Sequence, residues 1–184
     1  TYQKGNAFLK PQYSNVFELT HSLLSRYNTT ISYSRIKDFR AQIVDTSDRN
    51  HTFITPMNLA SQDIYNVNFS VPFLIEKWWN VFLNFNAYHS DYKADFGKDK
   101  RIDISVNAFT LNTLQTITLK KTITMEVSGY FNSPAIWRGT FRSYAVGNLD
   151  IGIQKIFDNG RALIKLSDID LFNIVRLTGV SNYS

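Results

Sequence analysis

Four aspartates, Asp91, Asp95, Asp99 and Asp103, recur every fourth residue around Gly97, a spacing that hints at a calcium loop. Calcium takes six to eight oxygens in a cage of net negative charge. Lys93, Lys98, Lys100 and Arg101 are interleaved with those carboxylates and cancel them, so the stretch reads as a solvated loop. His21, His51 and His89 fall on different predicted strands, with no two at ligand spacing, whereas zinc needs three or four converging ligands. Asp168 and Asp170 sit together at a strand end, where loop and turn roles are ordinary. The chain has no cysteine, which excludes thiol catalysis, thiolate metal sites and disulfides. No nucleophile elbow, phosphate loop, metalloprotease helix motif or dinucleotide fingerprint occurs. The reading is therefore of no catalytic residue, no cofactor and no metal, and an enzyme is not expected. The sequons at Asn28, Asn50, Asn68 and Asn182 are what chance produces in an Asn/Ser/Thr-rich chain.

The elements that would position any such residue are β-strands. In Tyr65–Phe73, Tyr65, Val67, Phe69, Val71 and Phe73 alternate with Asn66, Asn68 and Ser70, so one face is apolar and the other wet. The pattern repeats and predicts eight antiparallel strands: about Asn15–Ser25, Thr29–Asp45, His51–Phe73, Trp79–Tyr92, one from Ile102, one around Ile123–Phe131, one around Leu149–Gln154, and Arg161–Ser167. Turns are expected near Arg26–Tyr27–Asn28, Lys120–Lys121 and Asp158–Asn–Gly160, the last being a two-residue hairpin signal. Polar loops are expected at Thr46–Asn50, Lys93–Arg101 and Ser133–Phe141.

Connections then run short, long, short, long, which puts all short turns at one end of a sheet. Outer-membrane barrels segregate loop length in this way. A strand of about 15 residues spans about 50 Å, well beyond the usual globular strand of about 17–20 Å. Nothing approaches the roughly 20 continuous apolar residues of a membrane helix, but barrel strands alternate and leave no such run.

Composition agrees. Aromatic residues make up 15% and charged residues only 19%, against about 25% in soluble domains, so Asn, Ser and Thr supply the polarity. The net charge of +5 is scattered over turns and loops without a basic stripe, which argues against nucleic acid. The chain begins with Thr1 and shows no charged-then-apolar leader, so a mature form or a piece of a longer protein is expected.

Several short elements, in order, carry a family likeness. They are Leu9-Lys-Pro-Gln-Tyr-Ser-Asn15 with Glu18-Leu19, Ile31–Lys37, Met57-Asn58-Leu59, Ser70-Val-Pro-Phe73 and Lys77-Trp78-Trp79. Further along come Gly129–Pro134, Ile151–Lys155, Lys165–Ser167 and Asp170-Leu-Phe-Asn173. Together these resemble the C-terminal part of the barrel of TonB-dependent outer-membrane receptors, in the outer-membrane β-barrel family. The resemblance implies one segment, 1–184, of roughly eight strands from a transmembrane barrel of about 22, without the N-terminal plug or the closing strands. It implies residence in the cell outer membrane and energised uptake of a nutrient or chelate. Its implied partners are outer-membrane lipid, the TonB system acting through the plug, an unidentified small ligand and a surface lipoprotein.

Within that reading Trp78, Trp79 and Trp137 are candidates for the membrane girdle. Leu19, Val67, Phe69, Val106, Val127 and Ile151 are expected to meet lipid, and Asn66, Asn68, Ser105, Glu126 and Asp150 to face the lumen. Two alternatives fit the alternation as well: a complete eight-stranded barrel binding an apolar small molecule, or an adhesive structural sheet. An isolated sheet of this kind would self-associate, close on itself or need detergent, because its apolar face far exceeds the roughly 300–600 Å² patch that monomers expose.

Overall fold

The computed structural model describes residues 2–48, 51–58, 61–95, 101–137, 141–157, 160–173, 175 and 179–180. Along the chain the strands are β1 (Tyr2–Gln3), β2 (Tyr13–Leu23), β3 (Tyr27–Lys37), β4 (Arg40–Asp48), β5 (His51–Asn58), β6 (Ser61–Glu76) and β7 (Trp79–Asp95). They continue as β8 (Arg101–Lys120), β9 (Ile123–Asn132), β10 (Ala135–Trp137), β11 (Phe141–Ser143), β12 (Val146–Phe157), β13 (Ala162–Asp168) and β14 (Gly179–Val180). No helix among the described residues is long and apolar enough to cross a membrane, which says nothing of crossing by strands.

The predicted meander is present. Eight strands lie in the order β2, β3, β6, β7, β8, β9, β12, β13, each antiparallel to its neighbour. β2 and β13 are the two ends of this sheet and do not pair with each other, so it is open, not a closed eight-stranded barrel. At about 3.3 Å per residue, the 20 residues of β8 extend about 66 Å.

Two predicted strands break. The stretches expected as Thr29–Asp45 and His51–Phe73 divide into β3 and β4, and into β5 and β6, and the β4–β5 hairpin leaves the main sheet. The break falls at Asp38, whose φ of 52° no extended strand tolerates. Asn58 secures it: its Nδ2 donates to the Asp38 carbonyl at 2.6 Å and to the Lys10 carbonyl at 3.1 Å, and its Oδ1 accepts from the Lys10 N–H at 2.8 Å. β1 then pairs with β5 in parallel, so the beginning of the chain runs beside this hairpin.

Turn positions shift by a few residues. The first turn lies at Leu24–Arg26, closed by the Arg26 N–H on the Leu23 carbonyl at 3.1 Å, with Leu24 and Ser25 at φ of 53° and 52°. Tyr27 and Asn28, expected in the turn, belong to β3. Gly160 takes φ of 97°, as the expected hairpin requires, while Asp158 and Asn159 lie outside the described residues. Pro72 is tolerated inside β6 because the β3 ladder stops at Asn28–Ser70, leaving no partner that needs its missing N–H.

Candidate functional site

Cross-strand partners share a face, so the register sorts every side chain to one side of the sheet or the other. On the Phe69 face, Phe17, Tyr33, Tyr65 and His89 form one row across β2, β3, β6 and β7. Successive ring centres are 6.5, 5.0 and 6.3 Å apart. Toward the short turns the face is apolar: Ile31, Val67 and Ala87, then Phe69, Phe85 and Leu111. It ends in the row of Trp79, Ile117, Met125, Ile153 and Leu166. Trp78 stacks on Trp79 with centres 5.8 Å apart, and the Trp79 indole N–H donates to Gln115 at 3.1 Å.

Trp79 and His89 are ten steps apart on β7. At about 3.3 Å per residue and a barrel tilt near 40°, that is about 25 Å along the membrane normal, the height of an outer-membrane apolar band. Toward the short turns this face stays open even on interior strands: Phe69 is 41% exposed and Ile153 43%. Val81 is the one buried hydrophobic side chain on this face among the described residues; Tyr92 and Ala108, also buried, lie on the other.

Beyond the His89 row the same face turns polar. Asp63 accepts from the Tyr33 hydroxyl at 2.7 Å and lies 3.9 Å from Arg35 Nε. His89 meets Asn107 at 2.8 Å through Nδ1, and Ser105 and Asp91 at 3.3 Å through Nε2. The Ser105 hydroxyl donates to Asp91 and is the main reason its carboxyl sits below the usual 3.8; desolvation opposes this and His89 adds to it.

The Asn68 face has the opposite profile. At the level of the apolar band it carries Asn66, Asn68, Asn84, Asn112, Glu126 and Asp150, with Asn84 donating to Asn68 at 3.4 Å and Lys165 3.4 Å from Glu126. Phe82 and Leu114, paired across β7 and β8, are an apolar island in it. Higher up, Ile64, Tyr92, Val106 and Ala108 form a small core, capped by Phe39 edge-on to Tyr92 at 5.7 Å. Inside it Gln62 donates to fully buried Ser90 at 3.0 Å.

The polarity of the wall thus inverts near Ala108–Phe109. Leu19, Val67, Phe69, Val127 and Ile151 share one face, and Asn66, Asn68, Glu126 and Asp150 share the other, as expected. Val106 and Ser105 are exchanged. Val106 pairs with Ser90 on the Asn68 face, and Ser105 pairs with Asp91 on the Phe69 face. The β7–β8 ladder has no bulge, so the apolar phase of β8 changes in the sequence and not in the backbone.

Among the described residues the expected loops are mostly strand. Thr46–Asp48 end β4, Lys93–Asp95 end β7, Arg101 opens β8, and β10 and β11 occupy part of Ser133–Phe141. Residues 49–50, 96–100 and 138–140 lie outside the described residues, and with them Gly97 and Asp99 of the acidic repeat. The side chains of His51 and Trp137 lie outside them too. No three His, Asp or Glu side chains gather among the described residues. A hollow of about 1340 Å³ crosses five strands from Phe17 to Phe109 and reaches Ile136 and Arg142 at the β10–β11 hairpin. The aromatic row at Tyr33 and Tyr65 escaped the sequence reading. It was accessible in principle, because residues equidistant from a turn centre pair across the hairpin.

An open antiparallel meander with overlong strands, one apolar band of membrane height and a polar reverse side is a wall segment of a membrane β-barrel. The chain belongs to the outer membrane protein beta-barrel family, whose model matches residues 1–184. No curated protein and no solved structure matches the chain.

Proposed function

We propose that this chain forms part of the barrel wall of a TonB-dependent receptor that admits a nutrient or chelate across the outer membrane. The observation that carries the membrane part is the band between Trp79 and the Phe17–Tyr33–Tyr65–His89 row, present on one face only. On this reading the Phe69 face meets lipid and the Asn68 face lines the lumen. Trp78 and Trp79 anchor the short-turn interface, with Trp137 toward the other end. The strands beyond His89 stand clear of lipid, where a polar outer face meets water. Energised uptake rests on the ordered sequence elements from Leu9-Lys-Pro11 to Asp170-Leu-Phe-Asn173 that resemble such receptors. Chemistry on substrate is not part of this reading, and the wall acts by enclosing a path.

The test compares nutrient depletion from a complex medium by the parent strain, a strain lacking this gene and a strain with an inactive TonB system. A compound left behind by both mutants is the expected cargo. A compound left only by the gene deletion, and taken up normally without TonB, would overturn energised uptake.

A further inference from the structure

All four short turns of the meander lie at one end of the sheet, and each carries exposed cations. Arg26 stands in the β2–β3 turn, Lys77 in the β6–β7 turn, Lys120 and Lys121 at the β8–β9 turn, and Arg161 at the β12–β13 turn. Against these five stand Glu76 and Asp158. Consecutive turns are two strands apart, about 10 Å at the usual strand spacing, so the rim offers a cation every ~10 Å.

The register adds a sharper feature. Lys155 pairs with Ile123 on the apolar Phe69 face, and Lys120 pairs with Ile123 from the other side across a register shift between Thr118 and Lys120, the irregularity that brings it level with that face. This row lies one step beyond the Trp79–Ile117–Met125–Ile153 row, where the band ends. Lys155 lays its ammonium 4.7 Å from the Phe157 ring centre, so its stem follows the apolar surface while its charge stays at the rim.

We propose that this rim binds the phosphate of anionic glycerophospholipids in the leaflet next to the short turns, with Lys120 and Lys155 as its lipid-facing prongs. The occupant is chosen by position and charge: the prongs sit at headgroup depth directly under the acyl-chain band, where the group within reach is a lipid phosphate. Lysine on a flexible stem suits a phosphate held as a point charge. The inference rests on the lipid-facing reading above, and its test separates the two.

The full chain carrying Trp137→Phe, so that Trp78 and Trp79 report, is reconstituted in phosphatidylcholine vesicles with either brominated phosphatidylglycerol or brominated phosphatidylcholine as quencher. The expected result is quenching that corresponds to a roughly fivefold preference for phosphatidylglycerol, the factor for one cation near an anionic surface. The preference should vanish in Lys120→Gln/Lys155→Gln and fall with salt, yet survive Lys37→Gln/Lys93→Gln at the other end. Equal quenching by both lipids in an inserted protein overturns this inference alone. Equal preference in the parent and Lys120→Gln/Lys155→Gln proteins overturns the prongs. No quenching by either lipid overturns both this inference and the lipid-facing reading.

Discussion

Phe131 pairs with Gly147 across β9 and β12, and its ring lies where a side chain on that glycine would stand. A Cβ at Gly147 would sit 3.4 Å from Phe131 Cδ2 and 3.0 Å from the Tyr130 carbonyl oxygen. One row along, Leu149 stands over Gly129 in the same way. Each bare backbone is roofed by its neighbour's large side chain, an arrangement that lends packing to glycines in a sheet. Valine at position 147 should push Phe131 off its rotamer and cost about 1–3 kcal/mol. Alanine should cost much less, because its chain-entropy gain offsets the closer contact. Urea midpoints of the detergent-folded protein check both.

Arginine placed along β7 should report depth as well as facing. Leu83 and Phe85 lie midway between Trp79 and His89, so Leu83→Arg should cost about 2–4 kcal/mol in folding into lipid. Ala87→Arg, nearer the boundary, should cost about 0–1 kcal/mol, and Asn84→Arg, on the other face, about as little. Equal costs at all three positions would refute the assigned band. Equilibrium folding into bilayers measures the series.

The exchange of Ser105 and Val106 gives a test of where the wall leaves the membrane. Ser105→Arg should be tolerated within about 0.5 kcal/mol, since its face is already polar there. Val106→Arg should cost more, about 1–3 kcal/mol, by pressing a charge into the core of Tyr92, Ile64 and Ala108. The opposite ranking would mean that lipid reaches above His89.

Asp91 supplies a pH signature. Its folded-state value lies below 3.8, so its contribution is fully present above that unfolded value and is lost as pH falls through the lower folded one. Ser105→Ala removes the principal hydrogen bond and should return the Asp91 titration toward 3.8. Carboxyl-carbon NMR of labelled aspartate reads the change directly.

Much of this architecture was legible from residues alone, for identifiable reasons. Alternation such as Tyr65–Phe73 fixes strand and face together, because the side-chain period is two. Where alternation changes phase without a bulge, as at Ala108–Phe109, extrapolating from Ile102 assigns Val106 to the wrong side. Asp38 carried no signal of its left-handed backbone, since the break depends on Asn58 and Lys10, distant in sequence and joined only by the fold. The Phe17–Tyr33–Tyr65–His89 row needed the register of three ladders at once. The lysines that flank Ile123 were visible only as scattered charge until their pairing placed them on one face.

The parallel contact of β1 with β5 has a bearing on the order in which the chain settles. Tyr2 meets Phe53 and Lys10 meets Asn58, partners about fifty residues further along, so the opening segment has nothing to grip until the β4–β5 hairpin has doubled back. Residues 2–10 therefore dock only after partners that are made later. Until then that stretch stays unpaired, and a protease acting on partly folded barrels would reach it.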